Sequence, residues 1–246
     1  LVVLLGYQVY LPTRELSCLE EFVRGGGKLV VFFSADRSLG RLLGITLGQY
    51  RSTAAGGQWS AFRFNESAPS HLPSVVRQES WNIRLVEPTG RSAKVIARWE
   101  TASGRALADP AWIQSETGFW MTHILLDDGD TWNKKSLLLG LVAACDPSVW
   151  APAARQYMDT STRLGKYLDF RDTVDRISAL ASGSSGEFRA RAMIAESELL
   201  HTELVRLHEE RRYPEVIERS QGLRNVLTEA YAAVQDFAAE AVICIA

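Results

Sequence analysis

Cysteine is scarce in this chain: Cys18, Cys145 and Cys244 are the three in 246 residues, widely spaced and in no C-x-x-C arrangement. That spacing argues against a thiolate metal centre or a disulfide framework. Two of the three fall in helical apolar patterns, so small buried residues are the expectation. Charge of one sign is lacking too, since the formal net charge is −2. This excludes the basic surplus that draws a nucleic acid or an anionic membrane. No apolar run is long enough to span a bilayer. The opening LVVLLGYQVYLP is short and without a basic leader, and Leu1 to Leu5 reads as a buried strand. The first residue is not methionine, so the expectation is a fragment, with upstream strands that cover part of the sheet edge. The length suffices for one large or two small domains.

What is present starts with Pro12 to Ile45, PTRELSCLEEFVRGGGKLVVFFSADRSLGRLLGI. Leu16, Leu19, Phe22 and Val23 share one helical face, Thr13 can cap the start, and Gly25 can take the left-handed position that ends a helix. Leu29 to Phe33 then runs apolar without polar alternation, which suits a parallel strand covered on both faces, and a second helix follows.

In open α/β sheets ligands collect outside the carboxyl ends of strands. Here that place belongs to Ser34, Ala35, Asp36, Arg37 and Ser38. Ser34 is the candidate nucleophile, but it lacks the flanking glycines of G-x-S-x-G, and a strand-end serine also serves to cap the next helix. Ser34, Asp36 and Arg37 are candidate ligand contacts at the same point.

After Ile45 short β-rich runs appear, Gln58 to Phe64, Asn82 to Glu87 and Ala93 to Thr101, between turns marked by Gly56-Gly57, Pro69, Pro73, Pro88 to Gly90 and Ser103-Gly104. In AKVIARWE, Val95, Ala97 and Trp99 oppose Ile96 and Arg98, a strand with one wetter face. These runs either extend the sheet antiparallel or form a small subdomain beside it. Trp59, Trp81, Trp99, Trp112 and Trp120 cluster in this half. Such rings pack β-rich cores, and an exposed one stacks on the C–H face of a pyranose. Trp59, Trp81 and Trp112 are the candidates for that second use.

In ETGFWMTHILLDDGDTWNKKSLLLGLVAACDP, Glu116-Thr117-Gly118 reads as a turn, Phe119 to Leu126 as a strand and Lys134 to Ala144 as a helix. Asp130 or Thr131 can cap that helix. His123 with Asp127 could form a base and its orienting carboxylate, or Asp127, Asp128 and Asp130 a cation site. A strand from 123 to 127 spreads the pair over about 13 Å, and D-D-G-D lacks the spaced ligands of an EF-hand loop.

The segment VVLLGYQVYLPTRELSCLEEFVRGGGKLVVF resembles class I glutamine amidotransferase-like domains, where a strand, a loop and a helix precede an "FVRRGG-LVVF" strand. Similar units occur in the trimerisation domain of family 42 β-galactosidases and in C-terminal regions of bacterial proteins similar to family 10 glycoside hydrolases. The latter also resemble Gly118 to Trp150, with GFWMTHILLDD, a leucine-rich helix and a "DP-W" turn. The resemblance implies a flavodoxin-like, amidotransferase-like three-layer fold, truncated at its N-terminus, that serves as an accessory domain of a carbohydrate-active protein. It does not imply glutaminase activity. Ser34-Ala35-Asp36 stands where such enzymes carry a cysteine, and His123 is followed by Ile124 and Leu125 where a His-x-Glu pair is required. No carboxylate pair takes the acid and nucleophile roles of glycoside hydrolysis either.

From Ala151 the pattern is helical. Ala153 to Ala181 carries Tyr157, Leu164, Leu168, Phe170, Val174 and Ile177, with a weak point at Gly165 and a loop at Ser182 to Gly186. Glu187 to Glu210 brings Met193, Leu200, Leu204 and Leu207 to one face, and Pro214 suits the first turn of a last helix. There Val216, Ser220, Leu223, Leu227, Ala230, Val234, Phe237 and Ala241 form a coiled-coil-like seam. A helical hairpin or three-helix bundle is expected, its seam packing within the chain or on a second copy. ELVRLHEERRYPEVIERSQGL resembles the turn of a tetratricopeptide unit, but one pair is too few for a repeat array. His201 and His208 stand two turns apart, too far for joint metal ligation. Val242 to Ala246 ends the chain as an apolar tail.

The expectation is thus an α/β domain over 1–150 and a helical bundle over 151–246, with no cofactor. Its partners would be an upstream domain, a second copy or a carbohydrate. The leading function is a structural or oligomerising accessory domain of a glycoside hydrolase-like protein. The alternatives are a carbohydrate-binding module with exposed tryptophans and a hydrolase using Ser34 and His123.

Overall fold

The computed structural model describes residues 1–4, 10–53, 56–89, 92–126 and 129–243, without the side chains of residues 4 and 236–243. The chain forms two compact units, Leu1–Pro147 and a second that begins at Ser148. Among the described residues no helix is long and apolar enough to cross a membrane.

The first unit runs β1 (Val2–Leu4), α1 (Thr13–Arg24), β2 (Leu29–Phe32), α2 (Arg37–Leu42), β3 (Ile45–Ser52), β4 (Trp59–Phe64), β5 (Val75–Ser80), β6 (Asn82–Pro88), β7 (Lys94–Glu100), β8 (Ala106–Ser115), β9 (Gly118–Met121) and α3 (Thr131–Cys145). Seven strands make one sheet in the order β1-β2-β9-β8-β7-β4-β5. It is parallel from β1 through β2 to β9 and antiparallel from β9 to β5. β3 and β6 pair antiparallel as a separate ribbon. The unit is therefore α/β, and it contains both the antiparallel extension and the small added element that the sequence offered as alternatives.

Every residue of β2 is buried because it divides its side chains between two cores. Leu29 and Val31 join Leu39, Leu43, Ile45 and Trp120, with Leu16, Leu19, Phe22 and Val23 of α1 packed against them. Val30 and Phe32 join Trp59, Phe62, Trp99 and Trp112, with Leu137 and Leu141 of α3. Helices on both faces remove any reason for polar alternation.

Several local expectations are corrected. Of the buried strand expected over Leu1 to Leu5, Leu5 lies outside the described residues; among the described residues β1 pairs with β2 alone at the sheet edge, and Leu1 and Val3 are each 45% exposed. Thr13 does not cap α1, since Pro12 holds the cap position and no side chain bonds there. Gly25 stays right-handed at φ −76° and Gly26, at φ +91°, makes the left-handed step. Cys18 is exposed because α1 buries no residue fully, whereas Cys145 is half-buried. Cys244 lies outside the described residues, as do Gly90 and the last three residues of the apolar tail. The alternation of β7 is broken by register shifts against β8, so Ile96 and Ala97 are both buried. The strand expected from Phe119 to Leu126 stops at Met121.

At the β8–β9 turn Gly118 adopts φ +142°, and a Cβ there would stand 1.8 Å from the carbonyl oxygen of Leu29. Only glycine lets the two parallel backbones approach so closely.

Among its described residues the second unit has four helices where a hairpin or three-helix bundle was expected: α4 (Trp150–Thr162), α5 (Phe170–Ala181), α6 (Glu187–Glu209) and α7 (Tyr213–Ile243). The stretch 153–181 breaks around Gly165, whose φ is +59°. Asp169 then caps α5 by accepting the Asp172 N–H at 2.9 Å. The carbonyl groups left at the end of α4 are satisfied from outside the helix. Arg224 of α7 donates to Thr160 O at 2.7 Å and Arg163 O at 3.2 Å, and Thr173 Oγ1 donates to Thr162 O at 2.8 Å. Leu168 sits in this break and is 74% exposed, which removes it from the expected stripe.

Val216, Ser220, Leu223, Leu227, Ala230 and Val234 are buried along α7, and Ala190, Ile194, Ser197, Leu204 and Leu207 along α6. Met193 and Leu200 flank that face half-buried. The side chains of Phe237 and Ala241 lie outside the described residues. His201 stacks on Phe170 with ring centroids 4.1 Å apart and planes at 6°, while His208 meets Tyr213 edge-on.

Replacing Gly118 by alanine is expected to cost roughly 4 kcal/mol or more, because backbone strain adds to overlap with Leu29. The exposed Gly104, at φ +78° with open space around it, should cost only about 1–2 kcal/mol on the same change. Urea denaturation of both variants reads the difference.

Burial holds the His201 imidazole below its ordinary 6.5. The unfolded chain therefore binds more protons near that pH, and the stabilisation is complete above 6.5 and lost as pH falls through the folded value. Between about pH 7.5 and about pH 5, Tm of the native chain should fall more than that of His201→Phe, which keeps the stack and cannot titrate.

Candidate ligand site at the end of the parallel strands

β2 ends in Phe33, a half-buried residue with φ +46° whose N–H donates to Met121 O at 3.0 Å. Its ring lies 5.1 Å from that of His123, just beyond the end of β9, and 6.4 Å from Tyr50 on β3. Trp81, between β5 and β6, meets His123 edge-on at 5.6 Å. The rings thus run Trp81–His123–Phe33–Tyr50. The inner histidine is 1% exposed, but Trp81 and Tyr50 at the ends are 56% and 49% exposed. Arg84 lies 5.8 Å from the centre of the Tyr50 ring, opposite it in the β3–β6 ladder. Its backbone N–H donates to Thr122 O at 2.9 Å, which ties the ribbon to the strand end.

His123 is held by its neighbours. Nδ1 lies 3.0 Å from Ile124 O and 3.3 Å from Ser80 Oγ. A carbonyl can only accept, so Nδ1 carries the proton and in the neutral ring Nε2 keeps the lone pair. Gln78 fixes the same segment: Nε2 donates to Ser80 Oγ at 2.8 Å and Ile124 O at 3.0 Å, while Oε1 accepts the Leu126 N–H at 3.2 Å.

Ser34 and Asp36 are built into the backbone. Ser34 is fully buried and its hydroxyl accepts the Asp36 N–H at 3.1 Å. Asp36 caps α2, its Oδ1 accepting from Ser38 N at 2.7 Å and Leu39 N at 3.0 Å, and its Oδ2 accepts the Leu11 N–H at 2.6 Å. Both carboxylate oxygens are spent on backbone donors. Of the three residues expected to meet a ligand here, only Arg37 is exposed. A buried Ser34 offers no approach for a substrate carbonyl, which a nucleophile requires.

The tryptophans divide sharply. Trp59 and Trp112 are 1% and 0% exposed, members of the core, and this corrects their place among the candidate sugar contacts. Trp59 Nε1 also donates to Asp109 at 3.0 Å. Only Trp81 of the three candidates has an open face. Tyr50, Gln78 and Ser80 were missed. For Gln78 and Ser80 the signal was the period-2 pattern of VVRQES, which puts them on the inward face with Val76, whereas nothing in the sequence marks Tyr50.

Asp130 stands at the N-cap position of α3 at φ +52°, but it does not cap. Its carboxylate instead accepts the Arg77 N–H at 2.7 Å and the Asn133 amide at 2.8 Å. Asp127 and Asp128 lie outside the described residues. Among the described residues no group of three or more His, Cys, Asp or Glu could hold a metal ion.

Compared with known proteins, the chain matches no protein-family model and no curated protein. Among solved structures, it is similar to α-L-fucosidase isoenzyme 2 from Paenibacillus thiaminolyticus, with a TM-score of 0.38 and 16% identity over 58% of this chain. The match spans 24% of the length of that glycoside hydrolase. A likeness at this level fixes neither family nor activity.

Replacing Asp36 by alanine removes a helix cap and leaves the Leu11 N–H without its acceptor. The expected loss is about 2–4 kcal/mol of stability, read by chemical denaturation.

Proposed function

We propose that the α/β unit is a non-catalytic, amidotransferase-like accessory domain of a carbohydrate-active protein, and that it holds a saccharide against Trp81. The observation that carries this reading is the contrast at the strand ends. The position of a nucleophile is filled by a buried serine bonded to its own loop, while the indole of Trp81 is 56% exposed and stands nearly perpendicular to the His123 ring. A rigid aromatic face held by a buried framework costs little to order on binding, and pyranose C–H groups stack on it. The flavodoxin-like reading of the layers draws on the three parallel strands with helices on both faces. Hydrolysis by Ser34 and His123 is not favoured, because the serine has no open face.

Titration with neutral mono- and oligosaccharides, followed by intrinsic tryptophan fluorescence and calorimetry, tests the proposal. Binding without turnover is expected, and Trp81→Ala should weaken it about tenfold or more, a loss of at least about 1.4 kcal/mol. Should no saccharide bind, the unit is structural only; should Trp81→Ala bind as tightly as the native chain, Trp81 is not the saccharide contact. Glycoside or glutamine hydrolysis abolished by Ser34→Ala would make it an enzyme instead.

A further inference from the structure

On the antiparallel side of the same sheet a polar cavity of about 860 Å³ opens between β4, β5, β7 and the start of α3. It falls in the ~300–1,000 Å³ range of ligand clefts. Its charged lining mixes both signs: Arg63 and Arg77 face Glu79, Glu100 and Asp130, with Asn133 beside them. We propose that this cavity is a second saccharide subsite, which takes a neutral sugar ring through its hydroxyl groups and does not depend on Trp81.

The argument rests on how these groups are already held. Glu100 is 5% exposed and lies in the fork of Arg63, with Nε to Oε1 at 2.6 Å and Nη2 to Oε2 at 3.4 Å. Arg63 is itself exposed and spends two of its five N–H donors on that carboxylate, leaving three for a ligand. Each oxygen of Asp130 accepts one bond, from the Arg77 backbone or from Asn133, and each retains a lone pair. Ser60 in the wall has a hydroxyl with no hydrogen-bond partner among the described residues. Donors and acceptors held by their own bonds therefore line one opening.

Sign decides the ligand class. A phosphate drawn by Arg63 and Arg77 would meet three carboxylates, and a divalent cation drawn by the carboxylates would meet two guanidinium groups. Like-charge juxtaposition of this kind is costly in a partly desolvated cleft. A neutral ring dense in hydroxyls meets no such opposition, since each hydroxyl can donate to a carboxylate lone pair and accept from a guanidinium N–H. Gln78 also lines the cavity, and its amide already fixes the segment that carries His123.

The test is NMR of the whole chain labelled with 15N, titrated with methyl β-D-glucoside, methyl β-D-galactoside and methyl β-D-xyloside. The Arg63 Nε–H and Asn133 amide resonances should shift saturably with at least one glycoside, with the same midpoint in Trp81→Ala. Arg77→Met, an exposed change that keeps the backbone bond to Asp130, should raise the midpoint about tenfold. No saturable shift, an unchanged midpoint in Arg77→Met, or loss of the shift in Trp81→Ala would each overturn the subsite. So would a stronger response to inorganic phosphate or calcium than to the glycosides. Failure of the Trp81 reading is distinct, since it appears as unchanged tryptophan fluorescence titration in Trp81→Ala.

Discussion

The parallel pairing of β2 with β9 is the constraint on which the α/β unit depends. Leu29 pairs with Gly118 and Phe32 with Met121, so the two strands end at the same level and deliver Phe33 and His123 side by side. The close approach at Gly118 sets the start of that register, and burial of alternate β2 side chains in two cores holds it. A slip of one residue would exchange the two faces of β2. It would also separate the rings that meet beyond the strand ends. Packing and candidate site are thus one consequence of a single register.

The same register explains why the strand end is not a catalytic elbow. A nucleophile must be presented to solvent by strained backbone. Here the strain sits one residue earlier, at Phe33, and turns Ser34 inward to accept the Asp36 N–H. Asp36 then caps α2 and anchors Leu11. Groups consumed in holding backbone cannot also move protons or receive a substrate. The open chemistry is displaced onto the β3–β6 ribbon side, where Tyr50 and Trp81 stand exposed.

How much of this was legible in the sequence follows from the range of the forces involved. The β2 run, the α1 stripe and the α7 seam could be read because β2 is covered on both faces and each helix along one, and such burial imposes a pattern on the sequence. Gly25 against Gly26, and Thr13 against Pro12, could not, since one residue of helix more or less is settled by tertiary fit. β8 escaped notice because Asp109-Pro110 interrupts it, yet register shifts against β7 accommodate the proline. Of the candidate tryptophans, sequence alone could not separate Trp59 and Trp112 from Trp81. An indole reads the same whether a sheet covers it or not, and only the topology puts β4 and β8 inside while leaving the β5–β6 connection at the surface. His123 was flagged for an acidic partner at Asp127. Asp127 lies outside the described residues, and hydrogen-bond contacts to Nδ1 come from Ser80, forty-three residues away along the chain, and from the next carbonyl.

Gln78 is where the two halves of the sheet are coupled. It stands on the edge strand β5, two residues from Ser80, and one side-chain amide bonds both the serine that touches His123 and the segment that follows it. A buried amide with its donors and acceptor committed has little freedom to rotate, and replacing it would take from the Leu126 N–H its acceptor and from Ile124 O one of its donors. The polar cavity on the β4–β5 side shares this residue with the ring cluster at the parallel end. Gln78 thus forms a wall common to the two openings, and its bonds to Ser80, Ile124 and Leu126 hold that wall in place. A side chain pinned on both sides passes little displacement from one opening to the other, so events in the cavity leave the ring cluster where it is.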